Sequence, residues 1–82
     1  MDSLIQTIEK LALEPIDVRI AKFLLAQGTP LVRATHQTIA AEVGTAREVV
    51  SRHLKRLADQ AVLKVERGAI RILDPETLAK LT

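Results

Sequence analysis

Leu4, Ile5, Ile8, Leu11 and Ala12 recur at helical spacing behind Asp2 and Ser3, either of which can accept from the first free N–H groups. The spacing predicts a first helix of about ten residues, ending near Leu13. A second follows from Pro15 to Gln27, with Ile16, Ile20, Phe23 and Leu24 on its apolar side. Proline is tolerated at a helix start because its missing N–H would be unpaired there. Gly28, Thr29 and Pro30 stop this helix, and Leu31-Val32-Arg33 is long enough only for a short strand or an extended connector.

From Thr35 the text THQTIAAEVG reads as a short helix with Ile39, Ala40 and Val43 on one face, closed by Gly44. TAREVVSRHLKRLADQ begins at once, with Val50, Leu54 and Leu57 about a turn apart, and the helix is expected over residues 46–59. Thr45 and Glu48 have the S/T-x-x-E spacing of a capping box. Two helices meeting at one glycine, with a small residue such as Ala40 at the crossing, are the mark of a helix-turn-helix over residues 35–59; a plain helical hairpin is the alternative. After Gln60 the period changes to two. Leu63, Val65, Ile70 and Ile72 alternate with Lys64, Glu66 and Arg71 around Arg67-Gly68, which predicts a β-hairpin over residues 62–73. Asp74-Pro75-Glu76 then combines an N-cap, a first-turn proline and an acid, opening a last short helix with Leu78 and Leu81 inward. Helices, a helix-turn-helix pair and a hairpin, in that order, make a winged helix: mainly α, with a small β-hairpin wing, in a single domain over residues 1–82.

Composition narrows the chemistry. Eighty-two residues hold one small core, and no apolar run approaches the roughly 18 to 20 residues needed to cross a bilayer. With no cysteine, disulfides, thiolate nucleophiles and Cys-based zinc or iron-sulfur sites are excluded. The opening MDSLIQTIEK lacks the features of a signal peptide, so a reducing cytoplasm is the expected setting. One phenylalanine and no tryptophan or tyrosine leave no aromatic platform on which single-stranded bases could stack. The net charge of +2 is unevenly spread: residues 1–32 carry three basic and four acidic side chains, residues 33–71 eight and four, and residues 72–82 one and two. The excess of positive charge lies in the helix-turn-helix and hairpin.

The text THQTIAAEVGTAREVVSRHLKRL, with EPIDVRIAKFLL before it and RGAIRILD after it, resembles the C-terminal DNA-binding domain of the Crp/Fnr family of bacterial transcription regulators. The resemblance runs over nearly the whole chain. It implies sequence-specific binding of double-stranded DNA through the second helix of the pair. In that family a sensor β-barrel and a long dimerising helix precede this domain, and 82 residues cannot hold them. Residues 1–13 are then the end of the dimerisation or linker helix. Any cyclic nucleotide, haem or iron-sulfur cluster belongs to the absent sensor, and no cofactor is expected in this chain. Glu48-x-x-Ser51-Arg52 is similar to the fumarate and nitrate regulator type, and Arg47-Glu48 with Arg52 to the cyclic-AMP receptor type. Both imply a half-site built around TGA.

Physical chemistry points to the same residues. A helix fits the major groove of B-DNA and its first turns reach base edges, which singles out Arg47, Glu48, Ser51 and Arg52. Arginine pairs with the O6 and N7 acceptors of guanine, glutamate accepts from the cytosine amino group, and serine serves either way. Glu48 and Arg52 are four apart, so one can orient the other. The plainer reading is a solvated, salt-bridged surface with Glu48 merely capping. Thr35, His36, Gln37, Thr45, Lys55, Arg56 and Arg67 are candidates for the DNA backbone, with Lys64 on the wing flank a weaker one. Thr35 can instead cap its own helix. Ala61 stands where the resemblance implies a glycine, at a cost of about 1 kcal/mol if its backbone is left-handed.

His36 and His53 lie 17 apart, without zinc-motif spacing, and Ser3 and Ser51 have no catalytic partners, so neither metal binding nor an enzyme is indicated. His53, where the resemblance implies an aliphatic residue, is expected as a half-buried ring at the core's edge beside Val49. The rival function is a winged-helix adaptor for another protein without DNA readout. RNA polymerase is a candidate contact and no membrane is involved; the full-length protein is expected to be a homodimer on a pseudo-palindromic site. This chain by itself is expected to be a monomer or a weak dimer. Size-exclusion chromatography with light scattering at micromolar concentration tests this, and a tight dimer would contradict it.

Overall fold

Residues 14–82 are described by the computed structural model, so the helix expected over Leu4 to Leu13 lies outside them. The chain runs through α1 (Ile16–Ala26), β1 (Leu31–Val32), α2 (His36–Val43), α3 (Arg47–Asp59), β2 (Leu63–Glu66), β3 (Ala69–Ile72) and α4 (Pro75–Lys80). This is a mainly helical winged helix with a small antiparallel sheet. No helix among the described residues is long and apolar enough to cross a membrane.

In α1 the residues Ile20, Ala21 and Leu24 are buried. Pro15 stands one position before the helix with ψ 149°, not at its first turn as expected, and its carbonyl accepts from Arg19 N at 3.1 Å. α2 is capped by Thr35, whose hydroxyl oxygen accepts from Thr38 N at 3.1 Å, and buries Ile39, Ala40 and Val43. It stops at Gly44, which has φ 77°. The Ala40 carbonyl accepts from both Gly44 N at 2.9 Å and Thr45 N at 3.0 Å. The next helix starts one residue later than the sequence suggests. Ala46 is the N-cap of α3 with no side-chain cap, and the expected Thr45–Glu48 capping box does not form. Val50, Leu54 and Leu57 carry α3 onto the core.

The remaining elements hold α3 in place. β1 pairs with β3 (Leu31 opposite Arg71, Val32 opposite Ile70), and β2 pairs with β3 through Leu63–Ile72, Lys64–Arg71, Val65–Ile70 and Glu66–Ala69. The order β1-β3-β2 makes β3 central. Ile70 therefore lies between Val32 and Val65 and is fully buried, whereas Val65, on the outer strand, is 38% exposed and does not join the core as its alternation suggested. α4 packs its buried Leu78 against α1. Asp74 caps it, accepting from the Thr77 hydroxyl at 2.6 Å and Thr77 N at 3.2 Å. These two bonds, the hydroxyl's first, hold the Asp74 carboxyl below its ordinary range. The core is aliphatic throughout, with Phe23 only partly buried against it, and contains no buried polar or charged residue among those described.

Ala61 takes the left-handed conformation at φ 59°. Val62 N donates to Leu57 O at 3.0 Å and Ala61 N to Ala58 O at 3.0 Å, which is the Schellman closure of a helix and is normally completed by glycine. Val62 and Leu57, the residues whose apolar contact often accompanies this motif, are both buried in the core. The helix thus ends as it would with glycine, and alanine bears the steric cost. Ala61→Gly is expected to stabilise the domain by up to about 1 kcal/mol, read as a higher urea midpoint with unchanged m-value; an unchanged or lower midpoint contradicts the strain.

Candidate nucleic-acid interface

Burying Val50, Leu54 and Leu57 leaves the other side of α3 to solvent, and Arg47, Glu48, Arg52, Lys55 and Arg56 are all exposed there. Ser51 is half-buried among them. The start of α2, the first turn of α3 and the wing tip enclose an open cleft, with Thr35, His36, Arg47, Glu66 and Arg67 on its walls. A shallow hollow adjoins it at Ala46, Arg47, Glu48 and Ser51. The fold therefore gathers two expected groups, separated by up to 32 residues of chain, around one surface. Gln37 is exposed in the first turn of α2 and Thr45 is half-buried in the turn, while Arg52, Lys55 and Arg56 continue the surface along α3. Lys64 is exposed on β2.

Charge on this surface is largely uncompensated. The ion pairs among the described residues are Lys22–Glu14 at 3.1 Å and Arg71–Glu66 at 2.7 Å. The second takes up the acid of the wing: the Arg71 hydrogen bond holds the Glu66 carboxyl below its ordinary range. Arg47, Arg52, Lys55, Arg56 and Arg67 have no such partner among the described residues. The expected Glu48–Arg52 pair is also not made, which corrects the sequence reading. Both side chains stand in water, where such a pair gains at most a few tenths of a kcal/mol, less than the cost of ordering two long side chains.

Two contacts at the site were not legible in the sequence. His36 Nδ1 lies 2.8 Å from Ser51 Oγ, joining α2 to α3 across 15 residues of chain, and Ser51 Oγ also donates to Arg47 O at 3.1 Å. Arg19 Nη1, from α1, donates to Val43 O at 3.2 Å just before Gly44. Neither pairing has a spacing signal, because each depends on how the helices cross. His53 is half-buried as expected, and its Nδ1 is buried with no hydrogen-bond partner among the described residues. No group of three or more His, Asp or Glu side chains among the described residues could hold a metal ion.

A helix-turn-helix whose second helix is exposed beside a β-wing defines the class of winged-helix domains. Residues 18–81 match the Crp-like helix-turn-helix domain, and the chain belongs to that family, the helix-turn-helix of Crp/Fnr transcription regulators, which are not enzymes. It is 32% identical to the transcriptional regulator SdrP of Thermus thermophilus over 84 aligned positions, covering 90% of this chain and 42% of that one. A Crp/Fnr-family transcriptional regulator from Eubacterium rectale superposes with a TM-score of 0.83 at 36% identity, over 98% of this chain and 39% of that one. The catabolite activator protein of Thermus thermophilus gives 0.74 at 31% identity, over 98% and 39%. This chain thus spans about two fifths of the length of these relatives.

The two threonines of the site differ in what they hold. Thr35→Ala is expected to cost about 1 kcal/mol of stability through loss of the α2 cap, while Thr45→Ala stays within about 0.5 kcal/mol. Equal losses in chemical denaturation would contradict the cap assignment.

Proposed function

We propose that this domain binds duplex DNA in the service of transcription regulation, with α3 in the major groove and the wing beside the sugar-phosphate backbone. The observation that carries the reading is the row of cations on the exposed face of α3 that have no ion-pair partner among the described residues, set next to Arg67 of the wing. Membership of the Crp-like helix-turn-helix family supports it. Arg47, Glu48, Ser51 and Arg52 read base edges, as their place in the first turns of the helix requires. Thr35, His36, Gln37, Thr45, Lys55, Arg56 and Arg67 hold the phosphates. The hydroxyls of Thr35 and Thr38 lie 2.9 Å apart and share one of their two protons, which leaves the other for a phosphate oxygen.

The half-site contains TGA, in keeping with the Glu48, Ser51 and Arg52 set. A full-length homodimer in the cytoplasm places two such helices about 34 Å apart on a pseudo-palindrome. Within the domain, residues 35–59 are the reading unit and residues 62–73 the wing. RNA polymerase is the natural further partner of a regulator so placed.

Fluorescence anisotropy against a duplex with two TTGA-type half-sites and against a scrambled duplex, over a salt series, tests the reading. Binding should weaken with a log-log salt slope near −0.9 per neutralised phosphate. Arg52→Ala should cost about 1 to 3 kcal/mol and flatten base preference, whereas Lys55→Ala should weaken all duplexes alike. Indifference to salt, or no binding even at low salt, would favour a protein-interaction adaptor instead.

A further inference from the structure

The contact between His36 and Ser51 decides more than the packing of α2 on α3. A serine hydroxyl has one proton to donate and two lone pairs. Ser51 Oγ lies 3.1 Å from Arg47 O, one turn back on its own helix, and 2.8 Å from His36 Nδ1. A carbonyl oxygen can only accept, so the hydroxyl proton goes to Arg47 O, a usual bond for a helical serine. That proton is then unavailable to His36, and Nδ1 must carry its own hydrogen and donate to Ser51. One lone pair is taken by the imidazole, and a single lone pair remains on the side of Ser51 that faces the hollow with Arg47 and Glu48.

We propose that His36 is a positioning residue for base recognition: by donating to Ser51 it fixes that hydroxyl as an acceptor toward DNA and makes it select an amino-bearing base. A free serine hydroxyl can rotate to meet either a donor or an acceptor, and so discriminates poorly. Held from both sides, Ser51 accepts from the N6 amino group of adenine or the N4 amino group of cytosine. It meets only a mutual repulsion of lone pairs at O4 of thymine or O6 of guanine. The proposal rests on the DNA-binding reading above and adds to it the polarity of one contact.

The test has one arm without DNA and one with it. In the free chain, the ring 15N shifts of His36 should show hydrogen on Nδ1; hydrogen on Nε2 alone would overturn the proposal. For the second arm, anisotropy is measured on duplexes carrying each of the four base pairs at every half-site position. The position whose preference is lost in Ser51→Ala is the one Ser51 reads. There the wild-type chain should favour adenine or cytosine over thymine or guanine by about fivefold, the value of one hydrogen bond.

His36→Ala should abolish that preference while leaving the preferences at other positions in place. His36→Asn, whose amide nitrogen occupies the place of Nδ1, should restore it. His36→Ala combined with Ser51→Ala should read like Ser51→Ala alone at this position. A His36→Ala chain that is less stable yet keeps the wild-type preference would reduce His36 to a packing residue and overturn the inference. A chain that binds no duplex would instead refute DNA binding itself.

Discussion

The left-handed turn at Gly44 sets the geometry on which the rest of the molecule depends. The Ala40 carbonyl accepts two amides there, from Gly44 and Thr45, so α2 ends and the chain reverses within a few residues. The demand for glycine is conformational: a Cβ would meet only Arg19 Nη1, at 4.0 Å, whereas φ 77° is costly for any other residue. Arg19 steadies the same place from α1 through the Val43 carbonyl. With the turn held, Ala40 can lie against α3, whose apolar side is drawn inward. The charged side of α3 faces water as a consequence of this turn.

Burial and charge are then separated with little compromise. The core is built of aliphatic side chains from every described helix and strand, and the ionic groups remain outside it. Two imperfections adjoin α3 among the described residues. Ala61 closes the helix in a conformation better suited to glycine, and His53 leaves a buried nitrogen unbonded among the described residues. Each imposes a cost of order 1 kcal/mol on a small domain, whose total stability is only several times larger. Neither touches the exposed face that meets DNA in the proposed mode.

On that face the distribution of partners is informative. The acid of the wing is occupied by Arg71, which leaves Arg67 at the tip without an ion-pair partner among the described residues, beside His36 and Arg47. Glu48 is similarly unengaged by Arg52, so both remain available to groups outside the protein. Ser51 is the exception, since its hydroxyl is committed to Arg47 and His36 before any ligand arrives. A side chain so held loses little freedom when a partner binds, which is what the proposed readout by Ser51 requires.

Much of this could be read along the chain. Helical and alternating periods located the elements, Gly44 and Gly68 marked the turns, and Asp74-Pro75 opened the last helix, because those signals depend on neighbours within a few residues. The same is true of the exposed residues of α3, which follow from where Val50, Leu54 and Leu57 must point. The errors were of another kind. Thr45 does not cap α3 because that helix starts one residue later, with Ala46 as its N-cap, and Val65 lies exposed toward the wing tip while Leu63, at the other end of the same strand, is buried. Periodicity alone left Leu31-Val32 undecided between strand and connector; pairing with β3, some 40 residues away, made it a strand. The sequence by itself determined the order of elements, the apolar faces and the basic surface, all set by local spacing. Only the tertiary structure decided that His36 meets Ser51, that Arg67 joins Arg47 and that Ala61 is left-handed, because each depends on where separately folded segments come to rest against one another.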